Sequence, residues 1–272
     1  MTRKVLFWLG ITIILFVVLA PFLWIYLTMF KSHGDIYSMG LSKFFVFEPT
    51  LANFKRVFTF TTFLLEIRNT AIICVASTAL VMAFSLPAAY SFARWNTGGG
   101  HLLFITISTR MFPPALAAIP FYIVFSKLGL VDTHIGLTLL FIYFNMSFAT
   151  FLLFGFFREI PVELEQAARV DGYGGFGIFW KIIFPLIKPG AAITAVFCLV
   201  WAWNEFFFAS LFTRINARVV SLGMPIWHGG GTGVEWGPMM VVFGLSLLPT
   251  LLAAWFMQRY IVRGLTFGAV KG

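Results

Sequence analysis

Six long stretches of this chain carry almost no charge. Val5 to Phe30, Asn69 to Ala93, Ile135 to Phe157 and Trp236 to Gln258 contain no Asp, Glu, Lys or Arg; Leu102 to Ser126 contains only Arg110, and Pro189 to Thr213 only Glu205. About 20 apolar residues in a helix cross a hydrocarbon core of about 30 Å. Inside that core every backbone polar group needs an internal partner, which leaves helices or closed barrels. The runs do not alternate apolar with polar residues, so a barrel is excluded. The expected fold is all-α and polytopic, a single membrane domain over residues 1–272 with spans at about 5–30, 69–93, 102–126, 135–157, 189–213 and 236–258.

Composition supports this reading. The chain is 60% hydrophobic and 11% charged, against roughly a quarter charged in ordinary soluble domains. Too few polar residues exist to cover a water-exposed surface. The net charge of +9 would suggest a nucleic-acid partner in a soluble protein. Here Lys and Arg are spread over the segments between spans, a pattern that sets topology and meets lipid headgroups, so no nucleic-acid partner is expected. Arg3 and Lys4 resemble the start of a signal peptide, but the following run is too long and no small-residue cleavage site follows it. It is read as an uncleaved first helix. Placing the N-terminus inside puts ten Lys/Arg in cytoplasmic segments and eight outside, and six spans then put both termini in the cytoplasm. Pro113 and Pro114 interrupt the third span; they fit either a packing kink or a gate.

The segment 158–188 does not look like a plain membrane loop. It holds four of the ten acidic residues: Glu159, Glu163, Glu165 and Asp171. Pro161 suits a first helical turn, Glu163 and Glu165 suit the positive end of a helix dipole, and Ala167 and Ala168 favour helix. Gly172, Gly174 and Gly175 end it. A second short helix is expected from about Phe176 to Pro185. The small side chains fit a docking knob for a second protein, or a loop packed on its own membrane domain.

These residues carry a resemblance. Gln166-Ala167-Ala168, Gly172, Ile182 and Pro185 stand in the register of the EAA loop of ATP-binding-cassette importer permeases, with Gln166 in place of the glutamate and Phe184 in place of a leucine. Leu128-Gly129-Leu130-Val131-Asp132-Thr133, Trp203-Asn204-Glu205-Phe206 and the tail from Gln258 are similar to the carbohydrate-uptake, maltose-permease-like branch. The four motifs, in the same order, cover most of the chain. The resemblance implies one half of a translocation pore in the cell (inner) membrane. The other half would be a second, homologous permease. Two ATP-binding-cassette ATPase subunits would use ATP and Mg, and an extracytoplasmic binding protein would deliver a sugar or polyol. No cofactor is expected in this chain, which has no G-x-x-x-x-G-K-[ST] loop. Gln166, Ala167, Ala168, Asp171 and Gly172 would form the ATPase-coupling helix. Trp227, His228 and Gly230, in the loop of residues 214–235, would meet the binding protein, with a plain connector as the alternative.

Trp201, Asn204, Glu205 and Phe208 share helical spacing and mix rings with hydrogen-bonding groups, as a sugar path requires. Intramembrane ionisable residues usually face an interior or an aqueous cavity. Glu205 fits pore lining, a helix end, or a partner such as Arg110. The four histidines are scattered and lack ligand spacing, so no metal is expected. No nucleophile–base set or carboxylate pair appears, so no catalysis is expected. An autonomous secondary transporter or channel is the alternative; only Glu205 would serve it as an ion site, and segment 158–188 would have no role.

Overall fold

The computed structural model describes residues 2–38, 42–111, 113–229 and 233–268, with the side chains of residues 2, 42, 43, 229 and 259–268 not described. Its helices are α1 (Thr2–Met29), α2 (His33–Tyr37), α3 (Ser42–Phe45), α4 (Ala52–Phe60), α5 (Phe63–Trp95), α6 (His101–Ser108), α7 (Pro114–Lys127), α8 (His134–Glu159), α9 (Glu163–Val170), α10 (Gly175–Gly177), α11 (Phe184–Asn204), α12 (Phe207–Phe212) and α13 (Trp236–Gly268). A π-helical turn, Ile178–Ile183, joins α10 to α11. A two-stranded ribbon pairs His228 with Val234 and Gly229 with Gly233. Five helices are long and apolar enough to cross a membrane, or six if α6 and α7 count as one bent span.

Three expected boundaries change. The third span is not straight: His101–Met111 and Pro114–Lys127 lie at 93° to each other, with Pro113 at the N-cap of α7, where a missing N–H costs nothing. The expected short helix ending at Pro185 instead continues. Helix Gly175–Asn204 is unbroken, with Pro185 in its α-helical first turn and Pro189 inside. The π-turn before Pro185 supplies the slack in the hydrogen-bond ladder that proline requires. The expected span 189–213 therefore ends at Asn204, and α12 follows a break at Glu205 and Phe206.

The chain forms two compact units, residues 1–68 with 219–249 and residues 69–218 with 250–272. In the first, most of α1 exposes apolar side chains, as a lipid-facing helix does. Its end is fixed. The Asn53 amide donates to the carbonyls of Met29 (3.1 Å) and Lys31 (2.8 Å). The Lys31 ammonium sits 5.1–5.4 Å from the ring centroids of Trp24, Phe44 and Phe47, a cation–π cage. Burial lowers the Lys31 pKa and Asp35 opposes that shift. Arg56 pairs with Glu235 at 2.7 Å.

In the second unit, α5, α8, α9 and α11 share an apolar core that includes Ala89, Tyr90, Leu153, Phe157, Ala168, Ile183 and Ile187. Gly190 permits close helix approach there, since a Cβ would fall 2.6 Å from the Phe156 ring. At the N-terminal end of α8 a polar clasp closes the unit. Asp132, at φ +60°, accepts backbone N–H groups from Arg214 (2.8 Å), Ile215, Asn216 and Ala217. Burial pushes the Asp132 pKa up, but these donors outweigh it and hold the carboxyl at about 2. His134 bonds Asn69 at 2.8 Å, and the Asn69 amide donates to the carbonyls of Asn216 and Arg218.

Candidate functional site: a docking hairpin and an aromatic cavity

The 163–183 hairpin is built from one sharp stop. Gly172 has φ +86°, a conformation cheap only for glycine. The Gly172 N–H donates to Arg169 and the Tyr173 N–H to Ala168, both at 3.0 Å; together these bonds make a Schellman end. The chain then turns back into α10 and the π-turn.

Helical phase sorts the residues of α9. Gln166, Ala167, Asp171 and Gly172 are exposed. Ala168 is not on that face: it is 4% exposed and packs into the core, so its small size serves packing within this chain. The Asp171 carboxylate makes no hydrogen bond among the described residues, and its backbone N–H donates to Ala167. Beside the exposed face stand Val170, 89% exposed, and Phe176, 81% exposed.

Glu165 points the opposite way, 3% exposed. Arg94 Nε donates to Glu165 Oε1, the Tyr90 hydroxyl donates to Oε2 at 2.8 Å, and Arg94 Nη2 donates to the Ile160 carbonyl at 2.9 Å. Two residues of α5 thus clamp the base of the hairpin. Sequence reasoning assigned Glu165 a place at the positive end of a helix dipole and held no sign of either partner. They lie about 70 residues away, and local spacing carries no signal for such a pairing.

The second candidate is a cavity of about 740 Å³ lined by Thr109, Arg110, Pro114, Ala115, Phe144, Val200 and residues 201, 204 and 205–208. It gathers all four expected path residues: Trp201, Asn204, Glu205 and Phe208. Their roles differ. The Glu205 carboxylate accepts the N–H groups of Phe208 (2.9 Å) and Ala209 (3.0 Å), which satisfies the start of α12. It sits on a helix end and also borders the cavity. Phe208 is 2% exposed and stacks on Phe144 at 4.4 Å, so its ring is wall rather than free surface. Trp201 is half-buried and Asn204 is exposed, with the Asn204 amide donating to the Val200 carbonyl at 2.8 Å. Arg110 does not pair with Glu205. Its Nε donates to the Phe144 carbonyl at 2.9 Å and its Nη2 to Asn145 Oδ1 at 3.3 Å.

Of the loop candidates, Trp227 is buried at 6% exposure, with the Arg56 guanidinium 5.8 Å from its ring centroid. Its surface is spent inside the first unit. His228 is exposed, and Gly230 lies outside the described residues.

Comparison with known proteins agrees with this architecture. The chain is 37% identical over 270 residues to the probable ABC transporter permease protein y4oR of Sinorhizobium fredii, covering 99% of this chain and 96% of that protein. It is 30% identical over 274 residues to the trehalose/maltose transport system permease protein MalG of Thermococcus litoralis, covering 99% and 98%. A bacterial ABC transporter chain involved in import of the acidic polysaccharide alginate superposes with a TM-score of 0.80 at 21% identity, over 95% of this chain and 96% of that one, and so shares the fold. Residues 81–267 match the family described as binding-protein-dependent transport system inner membrane component. The chain, a transport component and not an enzyme, belongs to that family of ABC permeases.

Proposed function

We propose that this chain forms half of the pore of an ATP-driven importer for a sugar or polyol, with both termini cytoplasmic. The carrying observation is the 163–183 hairpin. It is fastened to its own membrane helices through Glu165, Arg94 and Tyr90, while Gln166, Ala167, Val170, Asp171 and Phe176 remain uncovered. A rigid base with an uncovered apolar tip suits a lever that seats in another protein. The named transport of trehalose and maltose by the 30% identical relative supports a saccharide cargo. A secondary transporter or channel would leave this tip without a purpose.

In this reading a second, homologous permease completes the pore. Two ATP-binding-cassette ATPases, using ATP and Mg, receive the hairpin. An extracytoplasmic binding protein delivers the solute, and His228 and Gly230 belong to the loop that meets it. This chain contributes no cofactor site. It positions the hairpin, and the Schellman end at Gly172 transmits movement of the ATPases to α11 through the continuous helix Gly175–Asn204.

The test is affinity capture of a tagged copy from host membranes in mild detergent. Recovery of an ATPase and a second polytopic permease is expected. Recovery of the chain alone, active in uptake driven by an ion gradient, would overturn the reading.

A further inference from the structure

The cavity between α7, α8, α11 and α12 holds two ionisable side chains, and the structure uses them unequally. Both Glu205 oxygens are taken up by backbone N–H groups at the start of α12, at 2.9 and 3.0 Å. Positive partial charge at the helix end offsets that carboxylate locally. Arg110 is held by a carbonyl and an amide oxygen. Neither carries formal negative charge, and Arg110 makes no ion pair among the described residues. Its Nη1 donates no hydrogen bond among the described residues. The guanidinium carbon lies 5.6 Å from the ring centroid of Trp201 and 5.1 Å from that of Phe148. The rest of the wall is mainly apolar and aromatic, with Phe144, Phe206 and Phe207.

Arg110 is exposed, and an intramembrane charge without a counter-charge belongs on an interior or water-filled path rather than against lipid. Two of its donors already brace the guanidinium against α8, which fixes the direction of the third nitrogen and lowers the ordering cost of binding. Arginine also matches a carboxylate in geometry and charge. A neutral hydroxyl would accept one hydrogen bond and leave the charge unbalanced. The volume of about 740 Å³ falls within the roughly 300–1,000 Å³ of small-molecule sites.

We propose that the cavity binds an acidic saccharide. Its carboxylate, or an equivalent anionic group, meets Arg110, and a ring face lies on Trp201. This rests on the importer reading and narrows its cargo to sugars bearing negative charge.

The test uses the importer complex purified from membranes with its partners but without the binding protein, so that the pore is read directly. The probes are α-1,4-digalacturonate and α-1,4-galactobiose, equal in backbone and different in charge, with binding followed by calorimetric titration. A charge-assisted contact predicts at least about tenfold tighter binding of the acidic sugar. Arg110→Gln should abolish that preference, and Arg110→Lys should retain part of it. Equal affinity for the two sugars, or saturable binding of neither, overturns the proposal. If Arg110→Gln fails to assemble, the unsubstituted complex still decides through its own affinity ratio. Absence of an ATPase from the purified material refutes the importer reading instead, and is a separate readout.

Discussion

Removing Arg94 should release the hairpin from the membrane helices. The Arg94 and Glu165 side chains are 6% and 4% exposed, and the pair is completed by the Tyr90 hydroxyl and the Ile160 carbonyl. Arg94→Met keeps much of the aliphatic volume but leaves a buried carboxylate with one neutral donor. Breaking one side of such a pair costs about 3–5 kcal/mol. Charged to local opening of α9, that raises the open population between about a hundredfold and several thousandfold. Amide hydrogen exchange of residues 163–180 measures this directly. The Tyr173 N–H, now bonded to Ala168, should lose protection by that factor. Combining Arg94→Met with Glu165→Leu removes both charges and should recover most of the protection, because no unpaired charge stays buried. Exchange within threefold of the parent in Arg94→Met would refute the clamp. A double variant no better than the single one would show that packing, not charge, holds the hairpin.

Further outcomes follow from the same geometry. Gly172→Leu finds open space around its Cβ but must adopt φ +86°, at a cost of about 1–2 kcal/mol; ATP hydrolysis should persist in the assembled importer while solute uptake falls, and normal uptake would refute the lever. The Asp132 carboxyl, held at about 2, lies below its unfolded value, so its stabilisation is complete above the ordinary carboxylate range and is lost as pH falls through about 2. Proteolytic cleavage within residues 213–218 should therefore be rare at neutral pH and rise under strong acid, and Asp132→Asn should allow it at neutral pH. Glu205→Ala should lower the thermal stability of the detergent-purified complex by about 0.5–2 kcal/mol as α12 loses its capping carboxylate, with Glu205→Gln losing less. Gly190→Leu should prevent folding of the second unit, read as loss of the chain from the membrane fraction, because Phe156 occupies the space.

Much of this protein could be read from the order of its residues. The charge-free runs determined the helices, because a bilayer leaves only helices or closed barrels to satisfy the polar backbone, and barrel strands would alternate apolar with polar residues. Local signals placed α9 and its glycine stop, since Gly172 alone at that point tolerates a left-handed conformation without strain. Helical spacing grouped Trp201, Asn204, Glu205 and Phe208, and the structure gathers all four at one cavity, but across a break at Glu205 and Phe206 rather than along one helix. The spacing could not say which of them would be wall and which would be surface.

Other features depended on chain segments that meet only after folding. Proline marked a break in the third span, but the 93° bend between its halves is set by where α6 and α7 pack. Pro185 looked like an end and is not one, because a π-turn absorbs the missing hydrogen bond upstream. Ala168 turned inward and Glu165 became a clamp through residues of α5. Arg110 and Glu205, the two charges within the six apolar runs of the sequence, found separate neutral partners rather than each other. The sequence determined which groups enter the membrane, because transfer cost belongs to each residue. Only the tertiary structure decided how those groups are satisfied, because a hydrogen bond needs a partner whose distance along the chain carries no information about its distance in space.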